Sequence, residues 1–83
     1  ELFSKYNDTL SISILYSRKA RILFLQNRLE ESRHFNEAAL RMDSLINNRR
    51  ALGVSLIMAG EIAASQGDLK LAAMRARQSL QVN

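Results

Sequence analysis

The sequence predicts an all-α fold built of antiparallel helix-turn-helix pairs, and three observations carry that prediction. Proline is absent and glycine occurs three times in 83 residues, so little interrupts a helix and little favours tight hairpins. Apolar residues recur at three- and four-residue steps instead of alternating. Residue types that end helices return at a fixed distance when the chain is slid along itself by 40 residues.

That shift aligns 1–43 with 41–83 and makes six pairs identical: Ser4/Ser44, Asn7/Asn47, Ile22/Ile62, Gln26/Gln66, Leu29/Leu69 and Leu40/Leu80. Similar pairs keep apolar opposite apolar and small opposite small, among them Tyr16/Leu56, Ala20/Gly60, Asn27/Gly67, Ser32/Ala72 and Ala39/Ser79.

Taken in order, residues 1–6 read as the tail of a helix that stops at Asn7-Asp8. A helix near 9–26 follows and closes at Asn27, a residue type that tolerates the left-handed conformation of a helix end. The next, near 29–46, has Glu30 and Glu31 in its first turn, where negative charge suits the helix dipole. Its apolar set is Leu29, Phe35, Ala39, Leu40, Met42, Leu45 and Ile46, and Asn47-Asn48 ends it. Near 49–66 the stripe is Leu52, Leu56, Ala59, Gly60, Ile62 and Ala63; Gly67 stops that helix and Asp68 caps the last, near 69–82. Short loops between long helices make neighbours antiparallel. The small residues Ala20, Ser32 and Ala39, and likewise Gly60, Ala72 and Ser79, are expected where paired helices cross.

Composition narrows the function. Without cysteine, and with His34 as its single histidine, the chain lacks the residues of a usual metal site, and none is expected. Glu30 and Glu31 stand about 100° apart on a helix and serve as a first-turn charge feature, not as an acid–base pair. No serine or threonine has a positioned base and no glycine loop is built to cradle phosphate, so neither catalysis nor a cofactor is expected. No apolar run reaches the roughly 18 residues of a membrane span. The chain opens on Glu1 without a signal-like segment, which reads as a piece of a longer protein and leaves the cytoplasm as the default compartment. Net charge is +4, but only Arg18-Lys19-Ala20-Arg21 and Arg49-Arg50 cluster, and Arg49-Arg50 leads into the apolar run LGVSLIMAG instead of a recognition helix. A nucleic-acid-binding helical domain is therefore the alternative reading and not the leading one.

The pattern resembles the tetratricopeptide repeat (TPR), a helix-turn-helix unit of 34 residues. Tyr16, Ala20, Leu23, Asn27, Ser32, Asn36 and Ala39 fall on its signature positions, as do Leu56, Gly60, Ala63, Gly67, Ala72, Ala76 and Ser79. Asn36 and Ala76 depart from it, standing where the family has a large residue, with Phe35 a substitute in the first unit; the closing proline is absent and the period is 40. The resemblance implies a single domain over 1–83: the tail of a preceding helix and a loop at 1–12, a first repeat at 13–52 and a second at 53–83, forming a fragment of a right-handed α-solenoid. Longer repeats of this kind are similar to those of bacterial signalling and transcription regulators.

It also implies a non-catalytic module that binds a protein or peptide along the first helix of each repeat. The corresponding positions are Ile14, Ser17, Arg18, Arg21 and Phe24, then Val54, Ile57, Met58, Glu61 and Ala64. They lack the lysines and asparagines of the family's carboxylate clamp, and suit an amphipathic helix or extended peptide steered by arginines. The same residues would also suit packing against a neighbouring repeat. The apolar Leu2, Phe3 and Tyr6 at one end and Leu71, Met74, Leu80 and Val82 at the other predict self-association through exposed terminal helices or else a monomer of marginal stability.

Overall fold

The computed structural model describes residues 2–82, with side chains from residue 7 to residue 82. Four helices follow one another: α1 (Leu2–Leu25), α2 (Leu29–Leu45), α3 (Arg49–Ser65) and α4 (Leu69–Val82), with no strand among the described residues. The three turns are one device used three times. Asn27, Asn47 and Gly67 take positive φ of 62°, 55° and 84°. The N–H of the next residue, Arg28, Asn48 or Asp68, donates to the carbonyl five residues back at 2.9 Å in each case. The positive-φ residue's own N–H reaches the carbonyl three back, at 3.0, 3.1 and 3.0 Å. These paired bonds satisfy carbonyls that a helix end otherwise leaves free.

The helices that leave the turns are capped in different ways. Asn48 Oδ1 accepts from the Ala51 N–H at 3.2 Å, and Asp68 Oδ1 from the Leu71 N–H at 3.1 Å. Arg28 offers no side-chain cap to α2; its guanidinium instead holds Glu31 with two bonds of 2.7 Å.

The expected break at Asn7-Asp8, with a separate tail and loop over 1–12, is corrected: α1 runs unbroken from Leu2 to Leu25. At Asn47 the turn lets α3 fold back onto α2, and that packing offsets the helical bonds lost. Asn7 permits a turn without compelling one, and helix propagation, at one hydrogen bond per residue, carries α1 through it. The apolar contacts expected of Leu2, Phe3 and Tyr6 lie outside the described side chains.

Each helix packs on the next in sequence, and α1 also approaches α3. Small residues do stand at the crossings. Ser32 is buried, and its hydroxyl donates to the Ala20 carbonyl at 2.7 Å, tying α2 to α1. Forty residues on, a Cβ placed on Gly60 would lie 3.5 Å from the Ala72 carbonyl oxygen of α4. Tyr16 meets Phe35 edge to face at 5.4 Å, so Phe35 supplies bulk beside the buried Asn36. Leu40, Leu56 and Ala59 form the apolar centre of the α2–α3 contact, flanked by Leu52 and Val82.

Candidate functional site

Where α1 and α3 lie side by side, they border two adjoining clefts. One, of about 320 Å³, has Leu10, Ile14, Ala51 and Val54 as its apolar lining, with Arg18 and Arg50 at its edge. The other, of about 150 Å³, is lined by Ser17, Arg18, Arg21, Asn36, Val54, Ser55 and Met58. Ser17, Arg18 and Val54 belong to both, which makes one continuous trough. Among the described residues three guanidinium groups border it and no carboxylate lines it.

A buried polar network sets the spacing of the trough's walls. Asp43 of α2 is 0% exposed; Ser13 of α1 donates its hydroxyl to Oδ1, and Ser55 of α3 donates to Oδ2 at 3.1 Å. Asn36 Nδ2 donates to the Ser55 carbonyl at 2.9 Å. A carboxylate in this position is tolerable only with its oxygens occupied, so both hydroxyls must stay in place. One residue of α2 thereby fixes the two helices that bound the trough.

The structure brings together Ile14, Ser17, Arg18, Arg21, Val54 and Met58 of the expected set. Met58 differs from expectation: at 5% exposure it is floor, not surface, because α3 turns that position toward α1. Phe24 is half-buried, Glu61 and Ala64 are exposed, and none of the three lines either cleft. Ile57 faces a different cleft, of about 500 Å³, between α3 and α4. Missed from the sequence were Leu10, Asn48, Arg50 and Ala51, which line the trough, and the Asp43 network beside it. A signal for the network existed: Asn36, Leu40 and Asp43 follow a four-three step and share one face of α2 with the apolar stripe.

A larger cleft, of about 700 Å³, opens between α2 and α4 over Leu52 and Leu56 of α3. Two of its charges answer each other, since Arg75 Nη2 reaches both oxygens of Glu37 at 3.1 Å, and Arg41 lines it as well. His34 is exposed, its ring edge-on to Phe35 at 5.5 Å. Among the described residues no group of three His, Cys, Asp or Glu side chains is placed to hold a metal ion, and no helix is long and apolar enough to cross a membrane. No family model, curated protein or solved structure matches the chain.

Proposed function

We propose that this chain is a non-catalytic interaction module, a TPR-like solenoid segment that binds a protein or peptide in the trough between α1 and α3. The observation that carries the reading is the trough's lining: apolar Leu10, Ile14 and Val54 beside Arg18, Arg21 and Arg50, with no carboxylate among the described residues that line it. Removing apolar side chains from water supplies affinity, at about 25 cal/mol per Å² buried. The arginines select and steer acidic partners. The partner is accordingly a segment with apolar side chains on one face and aspartates or glutamates beside them. Such a module serves as the scaffold or sensor part of a longer regulatory protein. The 40-residue recurrence of turns and crossings supports the solenoid reading.

Fluorescence anisotropy with labelled amphipathic peptides tests this. Acidic peptides should bind at least tenfold more tightly than basic ones of equal hydrophobicity, and more weakly as salt rises. Val54→Asp should abolish binding, and Arg21→Glu with Arg50→Glu should reverse the charge preference. Equal affinity for both peptide classes, or binding that survives Val54→Asp, would refute the proposal; preference for a DNA duplex would favour the nucleic-acid reading.

A further inference from the structure

The contact of α3 with the first hairpin shows how one 40-residue unit docks on another, and its two halves each recur, uncovered, elsewhere on the molecule. Leu40, in the seat that α1 and α2 form for α3, is 7% exposed; its counterpart Leu80 is 76% exposed. Ile62, on the docking face of α3, is 1% exposed; its counterpart Ile22 on α1 is 56% exposed. Both pairs are identical in residue type, so the difference lies in the covering alone. The open α3–α4 cleft lined by Gly53, Ile57, Ser79 and Leu80 is the second seat, and the outer face of α1, with Ile12, Leu15 and Ile22, is the second docking face.

We propose that a second copy of this chain occupies that seat, laying its α1 in the α3–α4 cleft as α3 lies on α1 and α2, so that copies stack head to tail.

The substitutions between equivalent positions fit one another. Inside, Ser13 and Ser55 meet through Asp43. Their counterparts are Gly53 and Leu15, a vacancy and a bulky apolar group. A Cβ on Gly53 would find only Val82, at 4.0 Å, and Leu15 is exposed. Inside, buried Met58 shares a cleft with Arg21; their counterparts Arg18 and Glu61 bring opposite charges together between copies. Lys19 replaces Ala59 on the docking face, and its ammonium lies 5.4 Å from the centroid of the Phe35 ring, folded back onto its own hairpin. Because the two surfaces differ, the contact is heterologous and leaves a free surface at each end of every assembly, which allows growth beyond a dimer.

Sedimentation of the 83-residue chain tests this, with variants at the exposed positions 22 and 80. Arginine is the replacement because Arg49 and Arg50 line the seat and would neutralise a glutamate. The unaltered chain should show a weight-average mass that climbs with concentration past that of a dimer of the 9.4 kDa protein. Ile22→Arg and Leu80→Arg should each sediment as monomers, and their equal mixture should reach the mass of a dimer and stop, because each retains the surface the other lacks. A variant whose far-ultraviolet circular dichroism falls is replaced by Leu15→Arg or by Ile57→Arg, at exposed positions of the same two surfaces. A constant monomer mass for the unaltered chain up to about 1 mM, the range of the weakest specific contacts, would overturn the proposal. So would association by either variant alone, as a symmetric contact would give, or a mixture that stays monomeric.

Discussion

The two helical hairpins share a turn and a crossing but differ in what they offer a third helix. Asn27 and Gly67 close them with the same pair of hydrogen bonds, and Ala20–Ser32 and Gly60–Ala72 let the paired backbones approach. On the first hairpin, α3 is received by Ser13, Asn36 and Asp43, a buried hydrogen-bonded set. At the first two of these positions the second hairpin has Gly53 and Ala76. Backbone geometry repeats because local chemistry dictates it, whereas the choice of neighbour is written in side chains that have diverged.

The most damaging way to break the comparison is to remove the acceptor at the centre of the first hairpin's polar set. Asp43→Ala leaves two buried hydroxyls without an acceptor, and at roughly 1–3 kcal/mol per orphaned group the loss should be about 3 kcal/mol. Urea unfolding measures it. A midpoint within error of the parent protein would show that the network does not hold α3 to the first hairpin.

The crossings come next. Gly60→Leu should cost about 2 kcal/mol by overpacking against Ala72 and Arg75. Gly60→Ala, which gives the second hairpin the first one's residue, should be neutral or stabilising by up to about 1 kcal/mol, since the added Cβ meets its neighbours at 3.5 Å or more and helix propensity improves. Thermal unfolding of both variants in parallel separates steric from propensity effects. If alanine proved as harmful as leucine, the crossing would be tighter than its counterpart at Ala20.

The smallest effect concerns the surface link between hairpins. Glu30 accepts from Arg33 at 3.0 Å and from Gln66 at 3.1 Å. The Arg33 hydrogen bond and charge, aided by Gln66, hold its carboxyl below the ordinary 4.5. With the folded value lower than the unfolded one, its contribution is present above the unfolded value and fades as pH falls through the folded one. A carbon-detected NMR titration should give Glu30 a lower midpoint than in Arg33→Ala; equal midpoints would contradict the pairing.

Much of this was legible in the sequence. All three observed turns fall at the expected breaks, because left-handed backbone is tolerated by few residue types and Asn27, Asn47 and Gly67 are among them. Asn7 carries the same signal and stays helical, since a permissive residue allows a turn without compelling one. The trough was half legible. Repeat positions located Ile14, Ser17, Arg18, Arg21 and Val54, but Arg50 and Leu10 belong to it only through the offset between α1 and α3.

The sequence by itself determined the three turns, the helices that follow them, the 40-residue period and the small residues at the crossings, because each follows from interactions within a few residues or from a spacing that repeats. Only the tertiary structure decided that Asp43 would be buried between two serines 30 and 12 positions away. It also decided that Leu40 would be covered while the identical Leu80 stayed exposed. Those outcomes depend on which helix arrives against which face, a free energy summed over contacts between segments far apart in the chain, which no local pattern encodes.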